Sequence, residues 1–334
     1  NLCFKKMNLL ITGATGFLGS RITEHLLDEN EITQIIATGR KIRNHNKLIH
    51  PKLTYILGDL SNHNFVASLF KSKIDVVINC ASLSSPWGSY EKFYSSNILT
   101  QKHLINESKK SPINRFIYIS SPSIYFDFRD ALDIQEHTPV PKKMVNHYAK
   151  TKWMAECHLK ESNLPYIILR PRALIGRGDT VIMPRLIRSR KKGKLKIIGA
   201  GNNRVDLTPV ANMVEAVKLS IFTKNLNETF NISNGEPVNL WESINFILSE
   251  IGLPVVRDKI PYSILYIIAT IMEYKSRVFN KKEPVLTRYA VGVLAKSFTF
   301  DIRKAKELLN FEPKQTTNQA LVEFIQWYKS KEHE

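Results

Sequence analysis

The chain has 334 residues, enough for one large α/β domain with a smaller appendage, or for two domains. Its 43% hydrophobic and 23% charged content is that of an ordinary soluble globular protein, which excludes a low-complexity chain. Lys and Arg total 48 against 30 Asp and Glu, a net charge of +18. The basic residues are spread along the chain and form one dense cluster, Arg185–Lys196 (RLIRSRKKGKLK). The excess therefore reads as a solvated basic surface that attracts anionic substrates or membrane headgroups, not as a nucleic-acid site.

Cys3, Cys80 and Cys157 are odd in number and far apart, which fits a reducing compartment better than a disulfide framework or a zinc site. No secretory signal is visible, and Met7, after Asn1–Lys6, reads as a natural start, so a cytoplasmic location is expected. The longest apolar stretch, residues 260–272, falls short of the ~20 residues that a spanning helix needs.

In chain order, the first half alternates apolar strand patterns with amphipathic helical ones. Strands are predicted over Asn8–Thr12, Gln34–Thr38, Thr54–Leu57, Asp75–Asn79, Arg115–Ser120 and Pro165–Arg170. Helices are predicted over Phe17–Leu27, Phe65–Phe70, Tyr90–Lys109 and His147–Glu161. Strands joined by helices of this length imply crossovers and a doubly wound parallel sheet of the Rossmann type, with its ligand crevice at the carboxyl ends of the strands. After Pro171 the elements shorten. Gly199–Val210 reads as loop, Ala211–Phe222 as helix, Glu228–Ser233 as strand, and Leu240–Ile251, Arg303–Leu309 and Asn318–Tyr328 as helices. The expected division is a dinucleotide-binding domain over 7–170 and a smaller mixed α/β substrate domain over 171–330, interleaved with the first.

The first predicted strand runs into ITGATGFLG (Ile11–Gly19), with Gly13, Gly16 and Gly19 three apart. Glycines at a strand-to-helix junction permit a tight turn and close approach of a ligand, and the helix N-terminus aims free N–H groups at an anion such as a pyrophosphate. In Asn146–Glu156 (NHYAKTKWMAE), Tyr148 and Lys152 are four apart and share a helical face. An ammonium beside the phenol is expected to lower its pKa from about 10, fitting Tyr148 for proton transfer near neutral pH. The neighbouring strand ends in Ser120, Ser121 and Ser123, any of which places a hydroxyl beside that phenol. Ser120 and Ser123 fit strand-end turn roles equally well.

These motifs occur in an order that resembles the extended short-chain dehydrogenases/reductases. TGATGFLG (Thr12–Gly19), GDL (Gly58–Leu60), NCAS (Asn79–Ser82), Asn97, SSPSIY (Ser120–Tyr125), Tyr148 with Lys152, and LRPRALIGRGD (Leu169–Asp179) carry the likeness across almost the whole chain. SSPWGSYEKFYSSN, NNRVDLTPVANM and NISNGEP resemble the 3β-hydroxysteroid dehydrogenase-like branch. The resemblance implies an NAD(P)(H)-dependent oxidoreductase that interconverts a ketone and a secondary alcohol on a hydrophobic, 3-oxoacyl- or sterol-like substrate. It implies Tyr148 as general acid/base, Lys152 as its tuner and ribose ligand, Ser121 as support for the substrate oxygen, and Asn97 in the relay. Gly13, Gly16 and Gly19, with Thr15, Phe17 and Leu18, would admit the pyrophosphate. Asp59 and Leu60 would meet the adenine, Cys80, Ala81 and Ser82 line the same groove, and Pro171 and Arg172 back the nicotinamide. Ser82, Trp87, Ser123 and Arg204 would face the substrate. A four-helix homodimer interface, common in the superfamily, is a further implied arrangement.

The second strand end bears on the expected cofactor, its basic residues reading either as a phosphate site or as solvated loop cations. Ile35–Asn44 contains no Asp or Glu to bind an adenosine ribose diol, while Arg40, Lys41 and Arg43 suit a 2′-phosphate, so NADP(H) is favoured over NAD(H). Pro122 and Ser123 stand where dehydratases of the superfamily carry acidic residues, which argues against water elimination and leaves a nucleotide-sugar epimerase as the alternative. The apolar 260–272 segment reads either as a buried helix or as a greasy wall for a lipid-like substrate beside a membrane. His137 and His147 lack companions at a metal-ligand spacing, so no metal is expected.

Overall fold

The computed structural model describes residues 6–42, 47–280 and 282–332. Cys3, Arg43 and Lys281 lie outside the described residues. Seven strands form one parallel sheet: β1 (Met7–Thr12), β2 (Ile32–Gly39), β3 (Leu53–Leu57), β4 (Val76–Asn79), β5 (Arg115–Ile119), β6 (Tyr166–Pro171) and β7 (Glu228–Ile232). Their order is β7-β6-β5-β4-β1-β2-β3, and every pairing is parallel.

Central strands of such a sheet are covered on both faces and read as continuous apolar runs. Leu9 and Ile11 of β1 pack into one core with α1 (Phe17–Leu26), while Leu10 between them packs into the other. The second core is built with α2 (His63–Leu69) and a long helix α3 over residues 90–110. It also takes in α4 (His147–Lys160). The first core takes in α6 (Val210–Phe222), which follows the shorter α5 (Met183–Lys191). Strand order reverses between β1 and β4, so the crevice of this sheet opens at the carboxyl ends of those two strands.

The expected uninterrupted helix over Tyr90–Lys109 differs in its middle. Tyr94–Leu99 is a π-helical turn between the α segments Tyr90–Phe93 and Thr100–Lys110. The extra residue in the turn goes with an inward Asn97, which is buried and hydrogen-bonded.

The stretch expected as loop over Gly199–Val210 contains two short strands. Arg204–Val205 joins a four-stranded sheet with Val238–Asn239, Phe298–Phe300 and Ala131–Ile134, and Thr208–Pro209 pairs with Leu174–Ile175. Two-residue strands held by tertiary pairing leave no period for a sequence pattern to show. The smaller lobe is completed by α7 (Leu240–Glu250), α8 (Tyr262–Lys275) and α9 (Arg288–Ala295). α10 (Arg303–Leu309) and α11 (Thr317–Glu332) close the chain. The buried-helix alternative for 260–272 is overturned. Only Ala269 and Glu273 of α8 are fully buried, and Ile264, Ile267, Ile268 and Ile271 face outward.

Candidate active site

The glycine loop sits at the switch in strand order. Gly13 has φ +65°, and a Cβ there would lie 2.8 Å from the Ala81 amide nitrogen, so only glycine lets the two strand ends approach. A Cβ on Gly19 would meet the Gly13 carbonyl, which fixes α1 against the loop. Gly16 occupies the N-cap of α1 with no side-chain cap, and the first turn carries no acidic residue. A cradle without side chains at an uncapped helix N-terminus fits a pyrophosphate.

The other nucleotide-side residues divide into two groups. Thr15 packs against Gly39 at the end of β2, Phe17 rests on Gly178, and Cys80, Ala81 and Ser82 follow β4 along the crevice. Ala81 donates its amide to Asn79 Oδ1 at 3.1 Å, and Asn79 is in turn held by Thr12 and Gln101. Burial pushes the Cys80 thiol up to about 12, so it is an inert liner. Asp59 accepts the Ser61 amide at 2.9 Å, and its carboxyl is held below the usual range chiefly by the Ser61 hydrogen bonds, with Arg40 adding a smaller charge effect. Arg40 and Lys41 are exposed beyond β2. The side chains of Leu18 and Leu60 pack into the cores on either face of the sheet, which leaves their backbone groups for a ligand.

On the chemical side, Asn146 caps α4 by accepting the Ala149 amide at 2.8 Å, which fixes Tyr148 in the first turn. Ser121 and Ser84 are the polar neighbours whose hydroxyls favour the ionised Tyr148 phenol. Ser121 donates to Ser123 Oγ at 2.9 Å. Ser123 is 3% exposed and is reached through Ser121. Asn97 donates to Thr151 at 2.9 Å and accepts from the Leu83 amide at 2.7 Å and from Ser82, bracing the loop after β4 against α4.

Lys152 is 2% exposed, donates to the Ile119 carbonyl at 2.6 Å, and lies 4.5 Å from the Tyr118 ring centroid. Burial lowers its pKa from 10.5 to about 7, against smaller upward effects from Cys80 and Glu156. The expected lowering of the Tyr148 pKa is reversed here. Burial holds the phenol above its ordinary value, partly offset by the Ser121 and Ser84 hydroxyls. Lys152 is turned to the strand-end carbonyl, and burial favours its uncharged form relative to a lysine in water.

The substrate side is built from both halves of the chain. Trp87 lies 5.5 Å from the Arg277 guanidinium, and Tyr90 packs on His147. Pro171 ends β6, and the Arg172 guanidinium stacks 5.1 Å from the Phe298 ring with its buried Nε unpartnered. Fully buried Asp206 and half-buried Tyr289 bear on Arg172 electrostatically, and Tyr289 also bears on Tyr148. Burial raises the Asp206 carboxyl to about 6, with the Phe300 amide and Arg172 pulling it down. Arg204 is exposed and donates to the Pro237 carbonyl at 3.1 Å. No described contact joins it to Tyr148.

Ser84, Tyr289, Asp206 and Glu156 escaped the sequence reading. Of these only Glu156 left a signal, as it follows Tyr148 by eight residues and Lys152 by four on one helical face. Among the described residues, no three His, Cys, Asp or Glu side chains are grouped as a metal site.

A sequence profile of the NAD dependent epimerase/dehydratase family matches residues 9–233. The 2-alkyl-3-oxoalkanoate reductase of Shewanella oneidensis is 31% identical, covering 92% of this chain and 82% of that protein. The decarboxylating sterol-4-alpha-carboxylate 3-dehydrogenase of Mus musculus is 27% identical, covering 96% and 91%. Among solved structures, the UDP-glucuronic acid 4-epimerase of Bacillus cereus in complex with NAD superposes with a TM-score of 0.75 at 22% identity, covering 97% of this chain and 99% of that one. A dTDP-glucose 4,6-dehydratase from Bacillus anthracis, also with NAD, gives 0.76 at 21% identity and 98% of both chains.

The buried lysine predicts a pH dependence with a definite sign. Between pH 7 and 10.5 the unfolded chain binds a proton at Lys152 that the folded chain has released, so this group makes stability rise with pH in that window. Lys152→Met should flatten the rise between about pH 7 and 8.5, a loss on the order of 1 kcal/mol, read from urea unfolding of both proteins. Parallel slopes in the two proteins would mean that Lys152 is fully charged at neutral pH.

Proposed function

Because the chain belongs to the NAD dependent epimerase/dehydratase family, we propose that this enzyme is an NADP(H)-dependent oxidoreductase. It interconverts a ketone and a secondary alcohol on a hydrophobic 3-oxygenated acid of the 3-oxoacyl or sterol type. The observation that carries the reading is the Ser121–Tyr148 pair beside Lys152 at the end of β5, with a proline and a buried serine in place of acidic residues. Two of the similar proteins are named for acids whose oxygen function lies on the carbon next to the carboxyl-bearing one.

The bound dinucleotide would supply or accept a hydride at the reacting carbon. Gly13, Gly16 and the start of α1 would hold its pyrophosphate, and Arg40 with Lys41 its 2′-phosphate. In the reducing direction Tyr148 gives its phenolic proton to the carbonyl oxygen as that oxygen gains charge. A phenol held above its ordinary pKa keeps its proton at neutral pH and releases it only to a stronger base, which the substrate oxygen becomes as it gains alkoxide charge. Ser121 donates to the same oxygen, and Ser84 steadies the phenolate left behind. Lys152 would turn from the Ile119 carbonyl to the ribose of a bound dinucleotide and take up its proton there, and Asn97 keeps the loop carrying Ser82–Ser84 in register with α4.

Arg172 is the partner for the carboxylate. Its Nε is buried and unsatisfied, an aromatic ring carries its face, and Asp206 acts on it through its charge without a direct ion pair. A ligand carboxylate would complete its hydrogen bonding.

Three measurements check these assignments. Tyr148→Phe should abolish NADPH oxidation with a 2-alkyl-3-oxo long-chain acid while leaving NADPH binding within a few-fold of wild type. Retained turnover would remove Tyr148 as the acid, and copurified NAD with affinity for a nucleotide sugar would favour an epimerase. Arg40→Glu should weaken NADPH at least tenfold more than NADH, whereas an equal loss would overturn the phosphate assignment. Arg172→Leu should raise KM for the acid about 10- to 100-fold and leave its methyl ester unaffected, as expected for loss of one charge-assisted contact. Equal effects on acid and ester would return Arg172 to a purely structural role.

A further inference from the structure

Helix α8 is amphipathic with its apolar side turned to solvent. Its inward anchors are Ala269, Glu273 and the aromatic pair Tyr262 and Tyr266. Glu273 accepts from the Arg288 side chain at 2.9 Å and its amide at 2.8 Å, and Tyr266 packs 5.4 Å from Phe128. The opposite stripe is Ile264, Ile267, Ile268, Ile271 and Tyr274, spaced three and four apart, with Ile267 59% and Tyr274 66% exposed. Val278 and Phe279 extend it through the following turn, where Phe279 is 78% exposed. Of the 14 exposed large hydrophobic side chains among the described residues, eight lie between residues 264 and 285. Scattered exposed apolar side chains need no explanation, but a contiguous stripe of this kind marks an interaction surface.

We propose that this stripe seats the protein on an anionic phospholipid surface, with α8 lying in the interfacial plane. Charge selects the occupant. Lys275 and Arg277 are exposed at the end of the stripe, and the one acidic residue of α8 and its turn, Glu273, is buried and paired. A second copy of this chain would bring the same cations and the same overall +18 against itself, whereas anionic headgroups complement them. Isoleucine, tyrosine and phenylalanine flanked by basic residues are the composition of an in-plane helix, and no helix among the described residues is long and apolar enough to cross a membrane.

The position of the stripe adds a consequence. Arg277 packs on Trp87, and Arg288, bound by Glu273, precedes Tyr289 of the Tyr148 neighbourhood. The seated face therefore borders the cleft. On the reading of the site as acting on an apolar acid, substrate would pass from the lipid to Tyr148 without crossing water.

The test is cosedimentation of the purified full chain with phosphatidylcholine vesicles and with mixed phosphatidylcholine–phosphatidylglycerol vesicles. Wild type should bind the mixed vesicles, more weakly at high salt, and bind phosphatidylcholine alone at least tenfold less. Ile267→Asp/Ile271→Asp should lower binding to mixed vesicles at least tenfold and Lys275→Glu should lower it several-fold, with circular dichroism and NADPH binding unchanged in both. No binding by wild type, or binding that the isoleucine substitutions leave intact, overturns the proposal. Sedimentation-velocity dimers that these substitutions dissociate, without vesicle binding, would assign the face to self-association instead. Turnover of a short, water-soluble 3-oxo acid is measured alongside. Its loss in wild type would count against the oxidoreductase reading, and its retention without vesicle binding against the membrane surface alone.

Discussion

A buried ion pair between Arg170 and Glu156 holds together the parts of the protein that the chemistry requires. Arg170 lies next to the end of β6, Glu156 lies on α4, and both are essentially without solvent exposure. Two charges removed from water are tolerated only when their remaining hydrogen bonds are satisfied, and here they are. Glu156 accepts from Arg170 Nε at 2.9 Å and from the Ser120 hydroxyl, and Arg170 donates to Tyr125 and to the Glu136 carbonyl. Tyr125 continues to Asn231 of β7. The helix that carries Tyr148 and Lys152 is thereby tied to the ends of β5, β6 and β7 at once. Such a pair contributes more to a single geometry than to net stability, because only one docking of α4 pairs every group.

The same economy governs the crevice. Parallel strands covered on both faces put their backbone carbonyl ends in one place, and the reversal of strand order between β1 and β4 leaves a gap that no crossover fills. Gly13 and Gly19 keep side chains out of that gap. Around it, burial shifts proton affinities in opposite senses, upward for Tyr148 and Cys80 and downward for Lys152, since removal from water always disfavours the charged form. Groups shifted together in this way cluster in clefts that bind ligands.

The smaller lobe contributes the other wall. Phe298, Tyr289 and Asp206 come from three separate segments and meet around Arg172, so the substrate side exists only once the four-stranded sheet has brought residues 131, 205 and 298 together. α8 adds an apolar surface that the core does not use, and its outward isoleucines are compatible with folding because Glu273 and the tyrosines anchor the inner face.

Much of this was legible in the linear chain. The strands of the parallel sheet are fully buried, so their apolar runs are continuous, and the glycine loop, the Tyr148–Lys152 spacing and the serines after β5 are local patterns that stay local in the fold. The absence of an acidic residue after β2 is likewise a matter of adjacent positions. Direction and partnership required the tertiary structure. Leu18, Leu60 and Ser123 sit within site motifs yet turn inward, and Lys152 shares a helical face with Tyr148 yet bonds to Ile119. Burial, which sets the sign of each pKa shift and leaves the α8 isoleucines outside, is a property of the whole packed chain. Sequence thus determined the sheet, the crevice and the spacing of the candidate site residues because each depends on neighbouring residues. Only the folded structure decided their electrostatics, the Arg172 surroundings and the outward apolar face, because these depend on what distant segments do or do not cover.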